Sequence, residues 1–358
     1  MGIDVKRYDG IQCLRAIAAF LVLYGHIKLA APLLHIKAFS TSFGGIGVDL
    51  FFVISGFVIS LTVDKGLDSL QFLKNRFSRV VPFYYLMSAY FLYHAFRDHR
   101  VDYRQLWNSF MFLPIFDKGT YTPPLHLFGW SLAFEIWFYL VFAAILNRFG
   151  RKVLWILPAV FIAGVVANLL WLQNLELLFP RFVFHPMTLE FSAGVLIFRF
   201  KERIGRRSFI LSSCLVIVLS PIIFLTDYSF NSGGLGDVYT IINSPWLGMI
   251  RLSIWGTTAV LLVVTVVGAE HIFKIAWPKI LTKFGDASYS LYLIQPYGFV
   301  LIGKMEVHKP LENWEKVLIW IGFSTALCIP LRQMVETPIT EFVKNALNRK
   351  TKRGVIYV

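Results

Sequence analysis

An arginine and a histidine stand eleven positions apart in IQCLRAIAAFLVLYGHI, a stretch otherwise almost wholly apolar. At 100° per residue that spacing is 20° past three full turns, so on a helix Arg15 and His26 share one face. They are separated by roughly 16 Å along the axis. Ionisable groups are costly inside a membrane and tend to serve function there. An imidazole can act as a general base, and a guanidinium offers a fixed fork of donors to an anion. The structural alternative is a snorkelling arginine and a packing histidine held by a hydrogen bond; two costly groups on one face favour the functional reading.

Three further stretches carry charge, two of them at a depth like that of His26 in the outer half and the third on the cytoplasmic side. GGIGVDLFFVISGFVIS has Asp49 near its start, and GWSLAFEIWFYLVF has Glu135 about two turns below its start. Either carboxylate could fix the tautomer of an imidazole and strengthen it as a base. For Asp49, capping the start of its helix is an equally good reading. KNRFSRVVPFYY places Arg76 and Arg79 at i and i+3, so on a helix they project together. Such a pair suits phosphate recognition, although most arginines at a membrane boundary are simple anchors. Trp130 and Ser131 offer polar groups that could stabilise an oxyanion.

The elements that must position these residues are membrane spans. Of 358 residues, 56% are hydrophobic and 16% charged, against about a quarter charged in soluble domains; the mean hydropathy is +0.62. Reading for about 20 apolar residues per crossing gives ten candidates: 11–31, 46–63, 80–96, 129–147, 153–172, 186–200, 208–226, 249–267, 287–304 and 315–332. The second begins in glycine-rich sequence and the sixth is short, so both could be tilted or irregular. The expected class is therefore all-α, a polytopic integral membrane protein with about ten transmembrane helices.

With the N-terminus inside, most of the 35 Lys and Arg residues fall in inner segments, which predicts both termini cytoplasmic. The same distribution explains the net charge of +14 without nucleic acid. Segments 97–128 and 227–248 on the outer side are long enough to shape a site. Residues 1–340 read as a single transmembrane domain and 341–358 as a short basic tail lying on the inner surface. The first apolar stretch reads as a span rather than a cleavable signal. Cys13, Cys214 and Cys328 lie far apart, with no disulfide or metal spacing. No internal repeat is apparent, which weakens a transporter built from two related halves.

At these residues the chain strongly resembles the acyltransferase-3 family of bacterial membrane O-acyltransferases. The match runs through YDGIQCLRAIAAFLVLYGHI, GVDLFFVISGFVI, RFSRVVPFYY, GWSLAFEIWFYL, LEFSAGVLIF, DASYSLYLIQP and VETP in the family's order, covering about residues 8–340. The resemblance implies ten helices in a bacterial inner membrane, no permanently bound cofactor, and acetyl-CoA or a related acyl-CoA as co-substrate. It also implies an extracytoplasmic carbohydrate acceptor, of the exopolysaccharide or O-antigen kind. It makes His26 the catalytic base, Glu135 a supporting acid, and Arg15, Arg76 and Arg79 the donor-binding groups. Asp49, Trp130, Ser131, Ser288, Tyr289 and Gln295 are possible acceptor-side or supporting positions. Family members often carry His where this chain has Gln295, so a proton-transfer role at that position is not carried over.

The expected reaction is direct transfer: acyl-CoA binds from the cytoplasm, and His26, oriented by a carboxylate, deprotonates a sugar hydroxyl arriving from outside. An acyl-histidine intermediate is an alternative route. The rival class is a transporter or flippase for a lipid-linked sugar or a small organic anion, which needs no donor.

Overall fold

The computed structural model describes residues 8–30, 43–114, 116–117, 120–172, 178–229, 235–307 and 310–353. Several expectations fall outside these: Lys6 and Arg7, residue 31 of the first span, parts of the two outer segments (115, 118–119 and 230–234), and 354–358 of the tail.

The described residues are almost entirely helical. α1 (Asp9–Ala30) is followed by a 3₁₀ turn at Phe43–Gly45 that leads into α2 (Ile46–Asp64), then α3 (Ser69–Arg97) and the short α4 (Tyr103–Met111). A two-residue antiparallel ladder, Phe116 opposite Tyr121 and Asp117 opposite Thr120, precedes α5 (Trp130–Phe149). Next come α6 (Val153–Leu170), α7 (Leu178–Val183), α8 (Thr188–Phe200) and α9 (Arg206–Ser229). α10 (Val238–Asn243) and α11 (Pro245–Arg251) run through a π-helical segment, Leu252–Gly256, into α12 (Thr257–Ile272). The chain closes with α13 (Lys279–Asp286), α14 (Ser288–Glu306), α15 (Asn313–Leu331), a second π-helical segment (Arg332–Glu336) and α16 (Thr337–Arg353), which continues unbroken past residue 340.

Among the described residues, six helical stretches are long and apolar enough to cross a membrane: Asp9–Ile27, Phe43–Asp64, Trp130–Leu170, Arg206–Ile223, Pro245–Ile272 and Asn313–Asn348. At 41 residues the third is about twice a single crossing, and it contains both α5 and α6. The expected spans 80–96, 186–200 and 287–304 lie in α3, α8 and α14. α3 and α14 bury polar side chains such as Ser78, Ser88, Ser290 and Gln295 within the protein, and α8 has 13 residues.

Three local causes position the site. First, α3 begins earlier than the expected span because the Asp68 side chain accepts a hydrogen bond from the Gln71 amide at 2.6 Å, capping the helix. Arg76 and Arg79, expected in a loop, therefore ride on a helix. Second, α2 and α8 pack closely because glycines meet backbone at their crossing: a Cβ on Gly56 would lie 2.0 Å from the Phe191 carbonyl, and one on Gly194 2.0 Å from that of Val53. Third, α1 is central, packing against α2, α12, α13 and α14. Stacked phenylalanines fill the space between α2, α5 and α8, with Phe191 4.4 Å from both Phe52 and Phe138, centroid to centroid. α9, by contrast, turns Leu211, Ile217, Val218 and Leu225 outward, as a lipid-facing helix does.

Candidate active site

Arg15 and His26 both reach α14. Arg15 Nη2 donates to Ser288 Oγ at 2.9 Å, and His26 Nδ1 meets Gln295 Oε1 at 2.6 Å. Ser288 and Gln295 are seven residues apart, two helical turns, and so lie on one face of α14. The two side chains of α1 are thus turned to the same neighbour.

The His26–Gln295 contact fixes the imidazole. An amide oxygen can only accept, so Nδ1 carries the hydrogen and Nε2 keeps its lone pair. The ring also stacks on Phe128 at 3.7 Å and 6°, which holds its plane. The Gln295 backbone oxygen accepts from Trp320 Nε1 at 2.9 Å, seating this residue against α15.

Neither expected carboxylate orients His26; this corrects the sequence reading. Asp49 is wholly buried and paired with Arg251, whose Nε and Nη2 reach its two oxygens at 2.9 and 2.6 Å. Nor does Asp49 cap its helix: α2 begins at Ile46 with Gly45 as its N-cap, and Asp49 lies inside the first turn. Glu135 accepts from Ser55 Oγ at 2.9 Å and from Tyr139 Oη. The cause is azimuth: Asp49 faces α11 from α2, whereas His26 faces α14 from α1.

A cavity of about 110 Å³ lies between α1, α2, α3, α5 and α14. Arg15, Arg76, Arg79, Glu135 and Tyr139 line it, and Ser131, Ser288, Tyr289 and Tyr292 also contribute. Its charge is unbalanced. Arg15 bonds only neutral side chains, Gln12 and Ser288. Arg76 lies over the Tyr139 ring at 5.7 Å, and Arg79 has no carboxylate partner among the described residues. Three guanidinium groups thus face one carboxylate, which is already bonded to two hydroxyls. A second nearby carboxylate, Glu336, accepts from Ser290 at 2.5 Å. An excess of cationic forks in an embedded cavity is the composition of an anion site.

Tyr292 separates this cavity from His26. Its ring is 6.3 Å from the imidazole, its hydroxyl donates to the Phe128 carbonyl at 2.6 Å, and Ser131 Oγ donates to it at 3.0 Å. Ser131 is therefore committed to Tyr292, and Trp130 packs edge-on to Phe52 and Phe134. Tyr289 Oη donates to the Val80 carbonyl at 2.8 Å, tying α14 to α3. Of the residues singled out from sequence, the structure brings Arg15, Arg76, Arg79, Glu135, Ser131, Ser288 and Tyr289 to one cavity, so that Glu135, expected beside His26, lies with the arginines instead; His26 and Gln295 stand beyond Tyr292. Asp49 sits apart.

Four residues here were not singled out from sequence. Tyr139 and Tyr292 carry no charge in an aromatic-rich chain and gave no signal. Arg251 and Glu190, however, are ionisable groups inside the expected spans 249–267 and 186–200, and the cost rule that marked Arg15 marks them as well.

Comparison with known proteins fits this geometry. A family model described as an acyltransferase domain, that of the acyltransferase-3 family, matches residues 8–333. The exopolysaccharide production protein ExoZ of Rhizobium meliloti is 28% identical over 308 residues, covering 83% of this chain and 89% of that protein. The peptidoglycan O-acetyltransferase OatA of Listeria monocytogenes is 31% identical over 169 residues, 41% of this chain and 25% of that protein. No solved structure matches.

Proposed function

The chain belongs to the acyltransferase-3 family and is a multi-pass membrane O-acyltransferase, and from that premise we propose that it moves an acetyl group from cytoplasmic acetyl-CoA to a hydroxyl of an extracytoplasmic glycan. The observation that carries this reading is the cavity with three guanidinium groups, one of which, that of Arg15, shares α1 with an imidazole whose Nε2 keeps its lone pair. One end suits the phosphates of a carrier, and the other suits a hydroxyl that must lose its proton. The two most informative relatives, named for exopolysaccharide production and for peptidoglycan O-acetylation, support a surface carbohydrate as acceptor.

The proposed arrangement has ten crossings, formed by α1, α2, α3, α5, α6, α8, α9, α11 with α12, α14 and α15, and both termini in the cytoplasm of a bacterial inner membrane. The positive charges that cluster between alternate helices support it.

In the proposed reaction Arg15, Arg76 and Arg79 hold the anionic end of acetyl-CoA, while its narrow arm rises along the face of α14. His26 Nε2 takes the proton of the sugar hydroxyl as that oxygen attacks the thioester carbonyl. The C–S bond breaks, and the leaving thiolate takes the proton from the imidazolium, giving the ester and free CoA thiol. Gln295 keeps Nδ1 protonated throughout, and Tyr292 with Ser131 forms the wall at which the carbonyl sits. Glu135 shapes the cavity through Ser55 and Tyr139.

The test is to incubate membranes bearing the chain with acetyl-labelled acetyl-CoA and then to follow the label. Label should enter the cells' own surface polysaccharide, and should fail to do so with His26→Ala. Movement of glycan across the membrane without consumption of acetyl-CoA would instead support a transporter.

A further inference from the structure

Arg251 lies outside the cavity and outside the proposed reaction, yet it is the most fully engaged cation described. Besides the two bonds to Asp49, its Nη1 donates to the Leu235 carbonyl at 2.7 Å and its Nη2 to that of Gly45 at 3.1 Å. The guanidinium face rests on Trp255, 4.7 Å from the ring centroid. Four donor bonds from one buried group join α11, the start of α2 and the outer segment before α10.

The far side of the same turn meets α1. A Cβ on Gly44 would stand 2.1 Å from the Leu21 carbonyl and 2.4 Å from the Gly25 amide, so the turn's backbone lies directly against α1 one residue before His26. The turn at Phe43–Gly45 is held between Arg251 on one side and Gly25 on the other.

We infer that the Arg251–Asp49 pair is a positioning strut for the proposed base, pressing the Gly44–Gly45 backbone against Gly25 and thereby setting His26 for transfer. This gives Asp49 a role other than contact with substrate, and it rests on the reading of His26 as base. The pairing is costly to disturb on one side only, because Asp49 is wholly buried and Arg251 is its ion-pair partner. Removing Arg251 alone would leave the Asp49 carboxylate buried without its cation.

The test therefore removes both charges of the strut together. In the full-length protein, Asp49→Asn with Arg251→Gln removes both charges of the pair together with the fork of donors, so that neither partner is left as an unpaired charge. Gly25→Ala acts at the other end of the contact, where a Cβ would stand 3.0 Å from Gly44 and Gly45 backbone atoms, and it leaves every charge in place. Release of thiol from acetyl-CoA, in membranes that carry their own surface glycan, gives kcat and KM. Both variants should lower kcat at least tenfold with KM for acetyl-CoA within about twofold of the parent, since the donor site is untouched. Arg251→Lys keeps the charge but loses the fork, and should fall between.

An unchanged kcat in the paired variant overturns the inference. So does a loss of kcat accompanied by an equal loss of donor affinity and a lower Tm in detergent, which would mark a merely structural pair. If the paired variant fails to fold, Gly25→Ala with full kcat overturns it alone. Transfer retained by His26→Ala overturns the reading of the site itself and the strut with it, whereas loss in His26→Ala with a normal paired variant overturns only the strut.

Discussion

His26 Nδ1 and Gln295 Oε1 are 2.6 Å apart, joining α1 to α14 across 269 residues of sequence, with an amide where a carboxylate partner was expected. An amide fixes the tautomer but adds no negative charge, so the base is oriented without being paired to a counter-ion. In the proposed reaction the imidazolium is short-lived, and the thiolate that takes its proton is the charge it needs to meet.

His26→Ala should reduce acetyl transfer by about a hundredfold or more, the usual scale of a lost general base. Binding of acetyl-CoA and elution as a folded protein in detergent should be retained. Transfer at the parent's rate would remove His26 from the mechanism.

Gln295→Leu removes the acceptor that holds Nδ1–H and should lower kcat, with KM for acetyl-CoA little changed. Gln295→Glu, which retains an oxygen in the same place, should keep more activity than Leu. Equal rates for the parent and the Leu variant would show that the tautomer is set elsewhere.

Arg76→Ala and Arg79→Ala should act on the donor. A lost hydrogen bond to a charged group costs about 1.5–3 kcal/mol, or roughly a ten- to hundredfold rise in KM for acetyl-CoA. Arg76→Lys should recover part of it, because a single ammonium cannot reproduce the fork. Unchanged KM values would return both residues to anchoring.

The segment between α4 and α5 carries a pH-sensitive group. Burial pushes the His126 imidazole down to about 4, while its Nε2 donates to the Leu293 carbonyl at 3.1 Å. The unfolded chain, with a histidine near 6.5, binds the proton first. His126 thus contributes stability above about pH 6.5, and this contribution is lost as pH falls toward 4, by roughly 3 kcal/mol in all. Tm in detergent between pH 7.5 and 5 should fall less steeply for His126→Gln than for the parent; identical slopes would assign the acid sensitivity elsewhere.

Within α1 the sequence alone was decisive. Helical periodicity is a local property of covalent geometry, so eleven positions between Arg15 and His26 sufficed to put both on one face. Hydropathy and the distribution of Lys and Arg identified a helical membrane protein because a bilayer is uniform enough for composition to report on it. The i, i+3 spacing of Arg76 and Arg79 survived an error in where their helix begins, since both lie inside α3.

Which helices become neighbours was decided only by tertiary packing. Asp49 read equally well as a cap or as a partner for His26, and it is neither: its cation lies 202 residues further on, in Arg251. The bond between His26 and Gln295 and the commitment of Glu135 to Ser55 and Tyr139 were hidden for the same reason. The azimuth of one helix against another depends on small features, such as glycines that admit a neighbour's backbone at Gly56, Gly194 and Gly44. A charge within a span announces that it needs a partner, but the identity of that partner exists only once the helices are packed.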